Sequence, residues 1–221
     1  MIIIIIFIFL LIFLITLKNN KEFFTNENNN SNSLADYLKN KTILITGSTN
    51  GLGYEIARIL CKYECNLIIT GKNPEKVEKV VNELKKINQN IFGISSNFLF
   101  NDDIKSLFYK SVKQFKHIHI IINIPILTIG SRYLTDKNFR DWKDEISVNV
   151  DSVYILSQLG VEHMRKNKIE GKIINVTTIA AKFADSKTNS GSDILTKNLI
   201  EKYTNIMAEE NYKQKIALTT I

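Results

Sequence analysis

The sequence predicts an α/β protein built on a doubly wound parallel sheet of about six strands, with helices on both faces. Short apolar runs such as TILIT (residues 42–46) alternate along the chain with longer amphipathic segments such as EKVEKVVNELKKI (residues 75–87). Several of the short runs are apolar at nearly every position, which is typical of strands that are covered on both faces. Regular alternation of strands and helices favours a parallel sheet.

The predicted elements follow one another in a regular order. Strands are expected at residues 42–46, 66–70, 91–95, 119–124, 172–177 and 216–221. Helices are expected at residues 54–63, 75–87, 104–115, 141–164 and 194–210. The second of these helices is the clearest, because its apolar residues recur at helical spacing and form one face.

The first 17 residues, MIIIIIFIFLLIFLITL, contain no charged side chain. As a helix they would span about 26 Å, close to the thickness of about 30 Å of a bilayer's hydrocarbon core. A cleaved signal peptide would need a basic segment before the apolar run and a small-residue cleavage site after it. Neither is present, so a transmembrane anchor at residues 1–17 is predicted. Lys18 and Lys21 follow the anchor, and the positive-inside rule then places the globular part in the cytoplasm.

Residues 18–40 include TNENNNSNS and are predicted to be a polar tether, and residues 41–221 are predicted to form one domain with a sizeable core. The net charge is +7, but the basic residues are spread along the chain without a basic block. A nucleic-acid partner is therefore not predicted. The two cysteines, Cys61 and Cys65, lack a second pair, so they are predicted to be packing residues rather than metal ligands, and no metal site is expected.

A glycine-rich turn follows the first predicted strand. The run TGSTNGLG places Gly47, Gly51 and Gly53 between that strand and the first helix. Glycine is suited to this place because the turn needs unusual dihedral angles, the backbone approaches a pyrophosphate and the helix packs close to the strand. Free N–H groups at the helix start can then bind phosphate. The order of strand, glycine turn and helix indicates a Rossmann-type dinucleotide-binding fold.

The spacing Thr46-Gly47-x-x-x-Gly51-x-Gly53 resembles that of the short-chain dehydrogenase/reductase family, and the resemblance runs from about Lys41 to Ile221. It implies an oxidoreductase that uses a nicotinamide nucleotide for hydride transfer on a carbonyl or alcohol substrate. It also implies that the turn contributes most of the cofactor contacts, namely those of Gly47, Ser48, Asn50, Gly51, Leu52 and Gly53.

Lys72 lies just past the second strand, where NAD-type members of the family have an acidic residue for the ribose hydroxyls. A basic residue there resembles the NADP-type members, because it can pair with the 2′-phosphate. The resemblance therefore implies NADP(H) as cofactor, with NADPH preferred over NADH. The alternative is that Lys72 is a solvated loop lysine.

Other positions match the family's functional residues. Asn97 stands at the adenine-side position, where the family usually has aspartate, and Asn123 is the asparagine of the fourth strand. Asn149 matches the helix asparagine that holds a water in the proton relay. Thr178 keeps a hydroxyl at the position of the catalytic serine. Lys197 matches the lysine of the family's Tyr-x-x-x-Lys pair, which also holds the nicotinamide ribose.

The sequence departs from the family pattern at three places. Asp193 stands where the catalytic tyrosine is expected, and INIPIL (residues 122–127) replaces the usual Asn-Asn-Ala-Gly. The chain ends in KIALTTI, before the family's Pro-Gly segment, substrate lid and final strand. An aspartate with a reference pKa of about 3.9 and a lysine four residues away is expected to be ionised and a poor proton donor. A helix start with an Asp193–Lys197 ion pair is therefore the favoured interpretation, and Tyr133 is the better substitute among the other tyrosines.

Two functions remain open on the sequence, because the intact glycine turn argues against a third interpretation, a decaying, truncated copy without a cofactor. One is a membrane-tethered, NADP(H)-linked oxidoreductase, and the other is a catalytically impaired relative that acts as a nucleotide-binding or interaction module. The resemblance also implies a possible homodimer through the long helices. The apolar residues Val153, Leu156 and Leu159 permit such an interface but fit a core equally well. The sequence does not identify the substrate.

Overall fold

The structure is a computed structural model that describes residues 34–178 and 191–221. The predicted anchor at residues 1–17 lies outside the described residues, as does most of the predicted tether. Within the described ranges, no helix is both long enough and apolar enough to cross a membrane.

Strands and helices alternate through the described part of the chain. The strands are β1 (Thr42–Ile45), β2 (Asn66–Gly71), β3 (Ile91–Ser95), β4 (Ile120–Asn123), β5 (Gly171–Asn175) and β6 (Ile216–Thr220). The helices are α1 (Leu34–Leu38), α2 (Gly51–Leu60), α3 (Pro74–Leu84), α4 (Asn101–Phe115), α5 (Phe139–Ile146), α6 (Ser152–Lys166) and α7 (Gly191–Asn211). A π-helical turn, Ser147–Asp151, joins α5 to α6, and short 3-10 turns lie at Leu134–Asp136 and Tyr212–Gln214.

The strands form one parallel sheet in the order β3-β2-β1-β4-β5-β6, which confirms the predicted doubly wound arrangement. Because every strand runs the same way, the segments that lead into the strands lie along one edge of the sheet, called here the amino edge. The segments that leave the strands lie along the opposite, carboxyl edge. The strand order reverses between β1 and β4, where the connections depart in opposite directions and leave a crevice.

Apolar side chains are buried on both faces of the sheet. On one face Ile43 and Ile45 of β1 pack with residues of α2 and α3, and on the other Leu44 packs with residues of α4 and α6. All four residues of β1 and of β4 are buried, as expected for two-sided strands. Leu156 of α6 belongs to this core, and Leu159, which is half-buried, packs against it. Val153 is buried as well. Burial of Val153 and Leu156 within the protein favours the core interpretation for these two residues.

The end of the predicted polar tether is instead a helix that belongs to the domain. Leu38 of α1 is fully buried against the sheet, and Leu34 and Tyr37 pack beside it. The Tyr37 ring also lies 5.5 Å from the Nζ atom of Lys41 and 5.6 Å from that of Lys172. The prediction failed here because only one short face of α1 is apolar and polar residues precede it.

Two other element boundaries differ from the predicted ones. Helix α2 begins at Gly51 rather than at residue 54, so the glycine-rich turn itself forms the first helical turn. The long helix predicted at residues 141–164 is two helices joined by the π-helical turn. Glycine has a low helix propensity, and a π-turn leaves no clear sequence pattern, so neither feature was predictable from periodicity.

A chain of buried hydrogen bonds joins β4, β5 and α7. The Asn123 Nδ2 atom donates to Asn175 Oδ1 at 2.8 Å, and Asn175 Nδ2 donates to Thr204 Oγ1 at 2.8 Å. The Thr204 hydroxyl in turn donates to the Ile200 carbonyl oxygen at 2.7 Å. Because these polar groups are buried, each needs a partner within the protein. The network therefore fixes α7 against β4 and β5.

Thr204→Val is expected to destabilise the domain by about 1–3 kcal/mol, because it leaves the buried Asn175 amide without an acceptor. Thr196→Val is the matched control, since Thr196 is equally buried on the same helix but donates only to the Asp193 carbonyl oxygen, at 3.0 Å. Its expected cost is below about 1 kcal/mol. Denaturant unfolding of the two variants measures the difference, and equal costs would show that the network does not stabilise the fold.

Candidate functional site

A cleft of about 210 Å³ opens at the carboxyl edge, beside the point where the strand order reverses. It is lined by Gly47 after β1, Gly71 and Lys72 at the end of β2, Asn97 after β3 and residues 124–127 after β4. In open parallel sheets, ligands bind at this kind of position.

The glycine-rich turn brings the backbone close to the start of α2. Gly47 has a φ of +61°, a conformation that favours glycine. A methyl group on Gly53 would lie 2.5 Å from the Gly47 carbonyl oxygen, so no side chain fits at Gly53. Asn50 lies just before the helix, and its side chain accepts no hydrogen bond from the first N–H groups of α2. A turn with these properties can accept phosphate oxygens.

Other predicted contacts from this turn are occupied by the fold. The hydroxyl of Ser48 is buried, donates to the Ile45 carbonyl oxygen at 2.7 Å and accepts from the Thr70 amide at 2.9 Å. It therefore fastens β1 to β2. Leu52 packs against the core beneath the turn. A ligand at this turn would therefore contact the backbone rather than the side chains of Ser48 and Leu52.

Lys72 and Asn97 lie on the same side of the cleft. The Lys72 side chain is exposed, and the Asn97 backbone is held by the Asp103 carboxylate, which accepts from the Asn97 amide at 3.2 Å. A basic group beside a glycine turn fits a phosphorylated adenosine. The glycine turn, Lys72 and Asn97 together match the adenosine and phosphate parts of a dinucleotide.

Lys197 lies behind the other wall of the cleft. Its side chain is 4% exposed, and Nζ donates to the carbonyl oxygens of Pro125, at 2.5 Å, and Val176, at 3.3 Å. Burial lowers the pKa of Lys197 to about 8, although Asp193 opposes the shift. Lys197 thus reaches the carboxyl ends of β4 and β5, where the predicted reaction site is expected.

Asp193 lies one helical turn before Lys197 and behaves differently from the prediction. Helix α7 begins at Gly191, so Asp193 lies inside its first turn and is not a cap. Burial raises the pKa of Asp193, the nearby Glu145 raises it further, and Lys197 opposes both effects. Among the ion pairs of the described residues, none joins Asp193 to Lys197. The predicted Asp193–Lys197 ion pair is therefore wrong, and burial rather than Lys197 sets the direction of the pKa shift of Asp193.

A buried ion pair next to Asp193 was not predicted. The Oε1 atom of Glu145 accepts from Lys137 Nζ at 2.7 Å and from the Ile129 amide at 2.7 Å. The side chains of Glu145 and Lys137 are 0% and 1% exposed. These contacts hold the loop after β4 against α5. The two residues are eight apart in a polar stretch, so no sequence pattern marks them as buried.

Asn149 also holds the loop after β4. Its Oδ1 atom accepts from the Leu127 amide and its Nδ2 atom donates to the Leu127 carbonyl oxygen, both at 2.8 Å. The side chain is fully buried in the π-helical turn. Because the side-chain amide of Asn149 is already paired with Leu127, the predicted role of holding a water would require the Asn149 backbone.

The remaining candidates lie at different distances from the cleft. Thr178 follows β5 at the carboxyl edge and is half-buried, in the region of the predicted reaction site. Asn123 is buried in the network with Asn175 and does not line the cleft. Tyr133 is 53% exposed on the loop beside the start of α7, where the Gly191 amide donates to the Arg132 carbonyl oxygen at 3.0 Å. Within residues 34–178 and 191–221, no group of three or more potential ligands could hold a metal ion.

Comparison with known proteins agrees with this geometry. The family model described as short chain dehydrogenase matches residues 41–221. An uncharacterized oxidoreductase of Staphylococcus epidermidis is 24% identical over 184 residues, which cover 83% of this chain and 77% of the relative. The 2-dehydro-3-deoxy-D-gluconate 5-dehydrogenase of Escherichia coli is 25% identical over 184 residues, covering 83% and 71%.

A further relative and a solved structure are also similar to this chain. The 3-oxoacyl-acyl-carrier-protein reductase of Aquifex aeolicus is 28% identical over 143 residues, which cover 64% of this chain and 57% of the relative. A crystal structure of a protein provisionally described as a betaketoacyl-ACP reductase matches with a TM-score of 0.72 and 22% identity, covering 83% of this chain and 72% of that one. The sheet order, the glycine turn and the family match over residues 41–221 agree, and the chain belongs to the short-chain dehydrogenase family.

Proposed function

We propose that this chain is an NADP(H)-linked oxidoreductase that transfers hydride to or from a carbonyl or alcohol substrate. The observation that carries the proposal is the cleft at the carboxyl edge, which brings Gly47, Lys72 and Asn97 together beside the N-terminus of α2. When bound, the nicotinamide nucleotide supplies the hydride chemistry. The protein's own contribution is to bind the nucleotide, orient the substrate oxygen and provide the proton.

Lys72 supports the choice of NADP(H) over NAD(H). Its ammonium group is exposed at the rim, and the glycine turn of β1 lies across the same cleft. A lysine in this place can bind a 2′-phosphate as a point charge. An NAD(H) site would benefit instead from a carboxylate that accepts from the ribose hydroxyls.

Lys72→Gln is expected to weaken NADPH binding about tenfold, since a charge-assisted contact to phosphate is lost. NADH affinity should stay within error of the original value, because NADH has no 2′-phosphate. Lys79→Gln is the matched control, as Lys79 is an exposed lysine in the middle of α3 and away from the cleft lining. Calorimetric titration of both nucleotides into the full chain measures these affinities. Equal losses for NADPH and NADH, or no binding of either by the original protein, would contradict the proposal.

The proton that accompanies hydride transfer is assigned to Asp193. Its carboxyl group is half-buried one helical turn before Lys197, and burial raises its pKa. A raised pKa increases the protonated fraction that can donate to a carbonyl oxygen. Lys197 is held at the ends of β4 and β5 by two carbonyl oxygens, and the Thr178 hydroxyl is proposed to orient the substrate oxygen.

Asp193→Asn is expected to lower NADPH-dependent reduction of small aldehydes and ketones by about 10²–10⁴-fold, without changing NADPH affinity. In the original protein, reduction should slow as the pH rises through the pKa of Asp193, because only the protonated carboxyl donates. Asp151→Asn is the control, since Asp151 is another half-buried aspartate whose pKa is raised by burial.

Two other outcomes of these experiments would point to a different proton donor or to a different function. Unchanged turnover in Asp193→Asn would assign the proton to another group. NADPH binding by the original protein without turnover of any tested carbonyl would favour the alternative function, a nucleotide-binding or interaction module. The replacement of the family's tyrosine by Asp193 is the observation that keeps this alternative open.

The proposed setting is a membrane-tethered, cytoplasmic domain. The support is the uncharged apolar run at residues 1–17, followed by Lys18 and Lys21 and a polar segment before α1. Residues 41–221 form the catalytic domain in this proposal, and α1 packs into its core through Leu38.

A homodimer is proposed through α7. Leu195, Leu199 and Ile206 are each about half exposed and recur at helical spacing on one side of this helix. Tyr154 of α6, 47% exposed, lies beside them, with its ring 5.5 Å from that of Tyr203. Exposed apolar stripes of this kind are typical of protein interfaces.

Introducing charge into this stripe, with Leu199→Glu and Ile206→Glu together, is expected to convert the dimer to a monomer, because carboxylates would be buried against an apolar partner. Ile87→Glu is the control, since Ile87 is 58% exposed just after α3 on another surface. Sedimentation of the full chain in detergent gives the mass of each form. A monomeric original protein, or a dimer that survives both substitutions, would contradict the interface.

A further inference from the structure

The lysines that are scattered along the sequence are concentrated in space at the amino edge. The segments that lead into the six strands, residues 39–41, 61–65, 85–90, 116–119, 167–170 and 212–215, contain nine lysines and two glutamates. This excess of seven positive charges equals the net charge of the whole chain, +7. The lysines, called here the basic face, are Lys39, Lys41, Lys62, Lys85, Lys86, Lys116, Lys168, Lys213 and Lys215.

The basic face is accessible to a large partner. Lys41 and Lys85 are half-buried, and the other seven lysines are exposed. The two glutamates of these segments are already paired, Glu64 with Lys39 at 3.2 Å and Glu170 with Lys215 at 2.7 Å. Most of the positive charge therefore has no acidic neighbour within the segments themselves.

The carboxyl edge does not share this charge. The described residues that leave the strands, 46–50, 72–73, 96–100, 124–138 and 176–178, contain three basic residues and one aspartate. Helix dipoles favour cations at helix C-termini, which also lie at the amino edge. That effect acts at the last helical turn and accounts for Lys113, Arg165 and Lys166. It also reaches Lys85 and Lys116, the C-cap residues of α3 and α4, but not the other seven lysines of the basic face.

The chain reaches the domain at this same edge. Helix α1 begins at Leu34, after the 33 residues outside the described part of the chain, and it is fixed to the sheet by Leu38 just before β1. Those preceding residues include the uncharged apolar run at 1–17. An apolar segment that inserts into a bilayer would therefore connect to the domain at the amino edge, opposite the cleft.

We propose that the basic face lies against an anionic lipid surface, such as a bilayer that contains phosphatidylserine. Each lysine close to such a surface strengthens association roughly fivefold, and the effect decays over a Debye length of about 8 Å at physiological salt. Six segments that end at one edge can place several lysines within that distance together. In this orientation the nucleotide cleft opens away from the membrane, at the opposite edge of the sheet.

Amine acetylation of the full chain in lipid nanodiscs tests this orientation. A water-soluble acetylating reagent is applied to discs of phosphatidylcholine alone and to discs that also contain phosphatidylserine, and each lysine is quantified by mass spectrometry. Acetylation of the exposed lysines of the basic face should fall roughly fivefold or more on the anionic discs. Lys76 and Lys105, exposed in the first turns of α3 and α4 at the opposite edge, should be modified equally on both.

Charge reversal provides the matched comparison. Lys86→Glu with Lys213→Glu should restore acetylation of the other lysines of the basic face on anionic discs, and Lys76→Glu with Lys105→Glu should not. High salt should restore it as well, because it screens the charges.

Equal acetylation on both kinds of disc, or failure of the full chain to associate with either, would overturn the proposal. The proposal would also be overturned if single-stranded RNA protected the lysines of the basic face from acetylation and anionic lipid did not. Nucleic acid would then be the partner. NADPH titration in the same discs is an independent readout. Loss of lipid protection with intact NADPH binding would overturn the membrane orientation and leave the proposed enzymatic function standing.

Discussion

The parallel pairing of β1 with β4 is the constraint on which the rest of the structure depends. The register Ile43 with Ile120, Leu44 with Ile121 and Ile45 with Ile122 places the two strand ends side by side. The Thr46 hydroxyl accepts from the Ile124 amide at 2.7 Å and extends this contact past the sheet. Because the connections after the two strands diverge, the carboxyl edge opens there, and the cleft, the glycine turn and the loop after β4 all meet at one place.

The loop after β4 is held by contacts from residues of the candidate reaction site and its surroundings. Pro125 accepts from Lys197, Leu127 is paired with Asn149, and Ile129 donates to Glu145. Each of these partners comes from a different element, namely α7, the π-helical turn and α5. Lys197, Asn149 and Glu145 thus hold the wall of the cleft in place. Two of them, Lys197 and Glu145, are also the charged groups that act on Asp193. A carboxyl group in this setting has a different pKa from one on an exposed helix, since burial raises the cost of its ionised form.

The two edges of the sheet have separate roles in the proposed function. The carboxyl edge holds the nucleotide cleft and the candidate reaction residues, while the amino edge carries the lysines and receives the chain from its N-terminal segment. A doubly wound fold makes this separation possible, because all strands start at one edge and end at the other. Lysines far apart in sequence therefore become neighbours, although no basic block exists in the sequence.

The sequence by itself determined the alternation of strands and helices, the parallel sheet and the glycine turn, because these depend on apolar periodicity and on the steric freedom of glycine. Lys72 and Asn97 follow predicted strands, and in the structure both line the same cleft as Gly47. Only the tertiary structure decided that Ser48 and Asn123 are used inside the fold, that Glu145 is buried and that the pKa of Asp193 is raised. Burial and hydrogen bonding depend on residues brought together from distant elements, and a local sequence pattern carries no information about those neighbours.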